Sequence, residues 1–212
     1  EIICNSRVEH VSETDGSVTS VKTKEKAYKS SRVISTMPTP FVSDVIPSLP
    51  EKAKAKYDAI PNIGVCCLLF KLKKPVTQNF WLNVIDDEHN IPGIIEFSNL
   101  RPTGEDHVVY VPYYMPHGQE RWGWKDKELI DEAFNLIRSV NPDISDGDVL
   151  STQVNRLRYA QPICRPGFLD TLPDIQTDIS GLQVADTCFY YPEDRGISES
   201  IKLGRSMARS AF

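Results

Sequence analysis

The segment that most constrains this chain lies near its end, where a short apolar strand is followed by a loop and a helix. The run Gly181-Leu182-Gln183-Val184-Ala185-Asp186 predicts a buried strand that ends in a carboxylate. The loop after it closes at Gly196, where the backbone can approach a ligand closely. The pattern from Ile197 to Ala211 predicts a helix whose imperfect buried stripe must pack against the sheet; the stripe consists of Ile201, Leu203, Met207 and Ala208. Because a helix N-terminus offers unpaired N–H groups, this position suits an anionic group. A plain strand-loop-helix connection, with acidic loop residues paired to Arg195, is the more economical explanation of the segment by itself.

The beginning of the chain predicts a β-meander. Val8–Glu13 and Ser17–Thr23 read as two strands joined at Asp15-Gly16, a pair that supplies the positive φ of a tight hairpin turn. Arg32–Thr36 reads as a further strand. It is stopped by Met37-Pro38-Thr39-Pro40, because proline cannot continue a hydrogen-bonded ladder.

The middle of the chain predicts a mixed or antiparallel sheet with helices, so the fold class is α+β. The best helix runs from Lys125 to Val140, with one buried stripe at three- and four-residue spacing formed by Leu129, Ile130, Ala133, Phe134, Ile137 and Val140. The other predicted elements are helices at Phe41–Ile46 and Glu51–Ala59 and strands at Glu1–Cys4, Ile63–Leu72, Trp81–Asp86, Ile91–Asn99, His107–Tyr114, Val149–Tyr159 and Leu182–Ala185.

Charge and composition exclude several functions. The net charge is −5 and the pI about 5.4, which argues against nucleic-acid binding because that needs a basic surface. No apolar run approaches the roughly 18 residues that a membrane-spanning helix requires. The five cysteines are an odd number without metal-ligand spacing. They favour a reduced, cytoplasmic protein with unpaired thiols and no bound metal.

Gly181 to Ala208 resembles the C-terminal flavin motif of FAD-dependent amine oxidoreductases, in the variant typical of protoporphyrinogen-oxidase-like and phytoene-desaturase-like members. Three other segments resemble the same family in the same order. Cys4–Val21 is similar to the hairpin that receives the adenosine end of FAD, Val33–Pro38 to the strand before the substrate domain, and Leu157–Pro162 to the strand that returns to the flavin.

The resemblance implies which residues contact FAD, whereas catalytic residues remain unassigned. Val8 matches the position whose backbone meets the adenine, and Asp186 matches the acid that binds the ribityl or pyrophosphate region. Gly196, Ile197 and Ser198 match the turn into the helix that faces the flavin. The two prolines expected at the cofactor boundary are Pro38 and Pro162. The implied domains are residues 1–40 and 151–212 for FAD binding and residues 41–150 on the substrate side.

The resemblance implies an enzyme that removes hydride from a C–N or C–C bond of a small-molecule substrate, with the flavin supplying the chemistry and oxygen or a quinone reoxidising it. One family feature is missing, because the chain contains no Gly-x-Gly-x-x-Gly turn for the FAD pyrophosphate. We therefore expect this chain to be the C-terminal part of a longer protein, to carry no FAD alone and to be inactive alone. The sequence predicts no oligomeric state.

Two alternatives remain open at this stage. A flavin-dependent sugar mutase of the same fold would use arginines, which Arg156, Arg158 and Arg165 could supply, and a non-enzymatic binding domain could share the sheet. Several residues are candidates for the active site, although ordinary structural roles explain them as well or better; they are Lys71, Lys73, Lys74, His107, His117, Trp122, Trp124, Tyr190 and Tyr191.

Overall fold

The structure is a computed structural model that describes residues 1–85 and 88–211. Its strands are β1 (Val8–Thr14), β2 (Ser17–Thr23), β3 (Ala27–Lys29), β4 (Val33–Ser35), β5 (Asn62–Leu72), β6 (Trp81–Asn83), β7 (Gly93–Glu96), β8 (His107–Met115), β9 (Val149–Pro162) and β10 (Leu182–Val184). Its α-helices are α1 (Val42–Val45), α2 (Glu51–Asp58), α3 (Phe97–Leu100), α4 (Asp126–Val140), α5 (Phe168–Thr171) and α6 (Ile197–Ala211). No described helix combines the length and apolar character needed to cross a bilayer.

The chain divides into two compact units, one formed by residues 1–62 and 161–212 and the other by residues 63–160. These boundaries differ from the predicted ones at residues 40 and 150. The first unit extends past residue 40 because α1 and α2 belong to its core, where Val42, Ile46 and Tyr57 share one apolar cluster with Val11 and Leu182. The functional roles predicted for the parts of the chain remain predictions.

In the first unit, β1 and β2 form the predicted antiparallel hairpin, with β3 paired to β2. Asp15 and Gly16 have φ angles of 50° and 73°, so the turn uses the left-handed conformations that the sequence predicted. The strand predicted at Glu1–Cys4 is wrong, because these residues have no ladder partner among those that the structure describes.

The hairpin lies close to β10. β10 pairs in parallel with β4, and Ser17 bridges Ser180 just before β10. The Val18 N–H donates to the Ser180 carbonyl at 2.9 Å, and Val11 and Val18 share the core cluster with Leu182 and Val184. Segments more than 160 residues apart therefore pack together in the first unit.

Helix α6 has the predicted bounds, but the predicted buried stripe is largely wrong. Of Ile201, Leu203, Met207 and Ala208, only Met207 is buried, and Ile201 is 50% exposed. The helix lies on the surface of the first unit, so hydrophobic periodicity alone overestimated how much of it the described residues cover.

The second unit is a five-stranded sheet in the order β6-β7-β8-β5-β9 with α4 packed on one face. The pairs β5–β8, β6–β7 and β7–β8 are antiparallel. The helix predicted at Lys125–Val140 is confirmed; Leu129, Ala133, Leu136 and Ile137 are its buried residues, while Ile130, Phe134 and Val140 are partly buried.

Two strand predictions in this unit need correction. Within the predicted strand Trp81–Asp86, β6 ends at Asn83, and Asp86 and Asp87 lie outside the described residues. The strand predicted at Ile91–Asn99 is shorter, because β7 covers Gly93–Glu96 and a helical turn, α3, begins at Phe97. Glu96 is the last residue of β7 and is fully buried.

Candidate functional site

A cleft of about 690 Å³ lies in the first unit between the hairpin and the end of β4. Val8 and Pro38, two residues predicted to contact the cofactor, both line it. The lining is mostly apolar and consists of Arg7, Val8, Val11, Val21, Val33, Ile34, Ser35, Thr36, Met37, Pro38, Phe41 and Val45. We call it the Val8–Pro38 cleft. Its volume lies within the roughly 300–1,000 Å³ that is usual for small-molecule sites.

Local sequence explains why the cleft opens here. The pattern of β1 and β2 buries Val11 and Val18, while Val8 begins β1 at the mouth of the cleft. Pro38 has φ −54° and ψ 138° and precedes a 3₁₀ turn at Thr39–Phe41, so the chain leaves the sheet as soon as β4 ends. The apolar wall of the hairpin and the end of β4 therefore face one space.

One polar atom in this lining has no partner. The Ser35 hydroxyl is buried without a hydrogen bond to any described residue, and Ser35 is only 7% exposed. A buried hydroxyl normally has a protein or water partner. The sequence had marked Ser35 only as part of the strand Val33–Pro38, because its burial depends on how β4 pairs with β10.

Asp186 has a structural role that the sequence did not predict. One carboxylate oxygen accepts the Thr39 N–H at 2.8 Å, and the other accepts the Cys188 N–H at 2.9 Å. The side chain therefore joins the turn after β4 to the turn after β10. Asp186 does not line the Val8–Pro38 cleft, but it fixes the residue that follows Pro38.

The groups near Asp186 are held in their neutral forms. Burial, and then the nearby Asp186 charge, raises the pKa of the Cys188 thiol far above its ordinary value. Burial is also the main cause that raises the pKa of Tyr57 to about 12. Since a thiolate is the reactive form of cysteine, Cys188 is a structural thiol rather than a nucleophile.

The other predicted cofactor residues do not line this cleft. Pro162 is the last residue of β9. Gly196 precedes α6 and its carbonyl accepts the Ser200 N–H and hydroxyl at 3.1 and 3.0 Å. Ile197 is 81% exposed, and Ser198 lines an open groove along α6 with other residues of that helix. Their roles at a flavin remain predictions.

The lysine and histidine candidates have structural partners. Lys71 pairs with Asp106 at 2.7 Å, and Lys73 donates to the Gly147 carbonyl at 2.8 Å. Lys74 donates to the Asp143 carbonyl at 3.0 Å and pairs with Asp148 at 3.3 Å. His107 faces buried Glu96 at 3.3 Å, and a ring nitrogen of His117 contacts the Arg158 carbonyl.

The aromatic and arginine candidates also have packing roles. Trp122 packs edge-on against His117, Tyr191 packs edge-on against Phe168 at 5.4 Å, and Trp124 lies 5.2 Å from the Arg121 guanidinium. Arg156 donates to Asp126 at 2.5 Å and to the Trp124 carbonyl at 2.7 Å. This arginine is therefore committed to structure, which weakens the arginine-lined site that a sugar mutase would need.

A comparison with the profiles of known protein families decides to which family the chain belongs. The family profile described as flavin containing amine oxidoreductase matches residues 1–187. The chain belongs to this family. The match includes the Val8–Pro38 cleft and Asp186, and it ends before α6. Among curated proteins none matches this sequence.

Solved structures of such flavin oxidoreductases share the fold at low identity. A protein assigned as a protoporphyrinogen oxidase from Exiguobacterium sp. 255-15 has 12% identity and a TM-score of 0.67 over 85% of this chain and 41% of that chain. Putrescine oxidase bound to putrescine has 9% identity and a TM-score of 0.72 over 97% and 48%. Reduced UDP-galactopyranose mutase has 14% identity and a TM-score of 0.59 over 78% and 38%.

These comparisons confirm the predicted α+β class, which corresponds to part of the flavin oxidoreductase fold. The chain spans less than half the length of each of these three structures. Family membership implies a flavin cofactor, and the Val8–Pro38 cleft fits part of such a cofactor. Its mostly apolar walls suit a flat ring system.

Proposed function

We propose that this chain is part of an FAD-dependent oxidoreductase that removes hydride from a C–N or C–C bond of a small organic substrate. The observation that supports it best is the Val8–Pro38 cleft, because two residues that the family resemblance assigned to the cofactor line one apolar space within the matched region.

In this proposal the cleft receives the adenosine end of FAD. Val8 contributes backbone groups, and the valines of the hairpin contribute an apolar wall. The flavin supplies the hydride chemistry when bound. The residues of this chain bind, orient and exclude water, and Asp186 keeps the turn after Pro38 in place through the Thr39 N–H. All five cysteines are unpaired, which supports a cytoplasmic location.

Filling the cleft should displace the cofactor. Thr36 is exposed and lines the Val8–Pro38 cleft, so Thr36→Trp should leave folding intact while its ring occupies the cofactor space. In the complete gene product we expect FAD to bind about tenfold more weakly, a loss of about 1.4 kcal/mol. Flavin absorbance per purified protein and titration of the apoprotein with FAD would measure it.

Thr14→Trp is the matched control, because Thr14 is exposed on β1 and lies outside the cleft lining. It should bind FAD as the unchanged protein does. Equal FAD affinity in both variants would show that the cleft does not hold the cofactor. Asp186→Ala is a poorer test of the cleft, because it also removes the acceptor of two backbone N–H groups. A loss of flavin in this variant could then result either from a lost FAD contact or from a loss of structure.

The 212-residue chain alone should retain little flavin. It contains no Gly-x-Gly-x-x-Gly turn, and without such a turn the FAD pyrophosphate lacks its usual backbone donors. We expect the chain, expressed and purified by itself, to be nearly colourless, with far less than one flavin per molecule. A flavin absorbance band of near-stoichiometric intensity would contradict this expectation.

A further inference from the structure

The Val8–Pro38 cleft has an apolar interior and a charged residue at its rim. Val11 in the interior is 2% exposed, whereas Arg7 is exposed directly before β1. Arg7 is the one residue of the described lining that carries a charge. We propose that the Arg7 guanidinium binds the phosphate next to the adenosine of FAD, so that the cleft prefers a nucleotide to a nucleoside. This inference rests on the proposed function, and the family resemblance assigned Arg7 no role.

The hairpin brings Arg7 to the cleft. β1 begins with the pair of Val8 and Thr23, and its register against β2 then shifts before His10. Val8 and Val11 would point to opposite faces of a regular strand, because they are three residues apart. Both line the cleft, since an irregularity of this kind re-aims the side chains beside it. Arg7 directly precedes Val8 and so lies at the end of the cleft that is assigned to the adenine.

The Arg7 guanidinium is available to an anion. It forms no ion pair with a residue that the structure describes. Glu9 is the nearest acidic residue along the chain, and it lies outside the cleft lining. No aspartate or glutamate occurs among the described lining residues, so a bound phosphate would meet no carboxylate there.

An adenine nucleotide has the same distribution of charge as the cleft. Its purine and ribose are uncharged and suit the mostly apolar walls, whereas its phosphates are anionic. The planar guanidinium of arginine presents paired N–H donors that match two phosphate oxygens, and such charge-assisted bonds are stronger than neutral ones. A ligand that places its base against the valines of the hairpin and its phosphate at Arg7 uses both parts of the cleft.

Arg7 supplies only part of what the FAD pyrophosphate needs. The chain has no Gly-x-Gly-x-x-Gly turn, and the backbone N–H groups of such a turn usually bind the pyrophosphate. An exposed side chain also loses conformational freedom when it binds, and salt screens its charge. We therefore expect weak but measurable nucleotide binding by this chain, which agrees with the little flavin that it should retain alone.

Ligand-observed NMR titration of the 212-residue chain with adenosine and with ADP would test the inference. ADP should bind about tenfold more tightly, because its phosphates can accept the charge-assisted hydrogen bonds of Arg7. Arg7→Gln removes the charge and should weaken ADP binding about tenfold, while adenosine binding stays unchanged. The ratio of the two dissociation constants decides the test, since a general loss of structure would weaken the binding of both ligands.

Two further variants locate the effect. Lys24→Gln is the matched control, because it removes one positive charge from an exposed residue between β2 and β3 that lies outside the cleft lining. It should bind both ligands as the unchanged chain does. Thr36→Trp fills the cleft and should weaken the binding of both ligands. Thermal unfolding of each variant checks that it is folded.

The outcomes separate the role of Arg7 from the function on which it rests. If Arg7→Gln prefers ADP to adenosine as strongly as Lys24→Gln does, Arg7 does not bind the phosphate and the inference is wrong. If adenosine does not bind the unchanged chain, or if it binds Thr36→Trp equally well, the cleft is not the adenosine site. The proposed function then loses its main support, and the inference fails with it.

Discussion

Replacing Gly181 by alanine should lower the free energy of unfolding of the first unit by about 3 kcal/mol. Gly181 has a φ of +80°, and an added Cβ would lie 2.2 Å from the Ser31 carbonyl oxygen and 3.0 Å from a methyl group of Val18. A left-handed conformation costs a non-glycine residue about 1–2 kcal/mol. Relief of the backbone clash would also break the hydrogen bond from Val33 to Gly181, at about 1 kcal/mol or more. Urea unfolding would measure the loss.

Gly16→Ala separates the two causes. Gly16 has a similar φ of +73°, but a Cβ there would meet nothing within 4 Å. This variant should therefore cost only the conformational part, about 1–2 kcal/mol. If both alanine variants are equally destabilised, the close approach between Gly181 and Ser31 contributes nothing.

Replacing Glu96 by alanine should lower the free energy of unfolding of the second unit by about 3 kcal/mol. The buried carboxylate accepts the Val76 N–H at 3.0 Å and the Thr77 N–H at 2.7 Å. It also faces His107 at 3.3 Å. Alanine would leave two backbone donors without a partner, at about 1–3 kcal/mol for each that stays buried. Chemical denaturation followed by far-UV circular dichroism would measure the change.

Glu105→Ala is the control for this prediction, because Glu105 is exposed before β8 and surface substitutions usually change stability by less than about 0.5 kcal/mol. A loss below 1 kcal/mol for Glu96→Ala would mean that water replaces the carboxylate without difficulty. The loop at Val76 and Thr77 would then be held by its other contacts, which include the Asn99 amide bonded to the Thr77 carbonyl at 2.8 Å.

The contribution of Glu96 should also depend on pH. Burial raises the pKa of its carboxyl group, although the bonds from Thr77 and Val76 and the nearby His107 oppose that shift. Because the folded-state pKa lies above the unfolded one, this contribution is fully present below the unfolded pKa and is lost as pH rises through the folded pKa. Relative to Glu96→Gln, the unchanged protein should therefore become less stable over that window.

The family resemblance and the structure assign different roles to Asp186. The resemblance implies a contact with FAD, whereas the structure places both carboxylate oxygens on backbone N–H groups of Thr39 and Cys188. The two roles are compatible, since each carboxylate oxygen has a second lone pair. The effect of a substitution at Asp186 on flavin content must therefore be interpreted together with a measurement of folding.

Local sequence determined most of the secondary structure. Asp15-Gly16 predicted the turn of the hairpin, Pro38 predicted the end of β4, and hydrophobic periodicity predicted which side of α4 is buried. These features could be predicted because turn geometry, proline and helical spacing act within a few residues. The strand predicted at Glu1–Cys4 failed, because a strand needs a ladder partner that a local pattern cannot supply. Ile201 on α6 stayed exposed for a related reason, since burial depends on what packs against a helix.

The sequence by itself, through its resemblance to a family, also identified the flavin oxidoreductase class and named Val8 and Pro38. Only the tertiary structure decided that these two residues share one cleft, that Asp186 joins two turns, and that Gln183 lies buried with an unpartnered oxygen. Each of these features depends on the parallel pairing of β4 with β10 across about 150 residues of chain. Such pairing follows from the packing of the whole unit, which no local pattern of residues specifies.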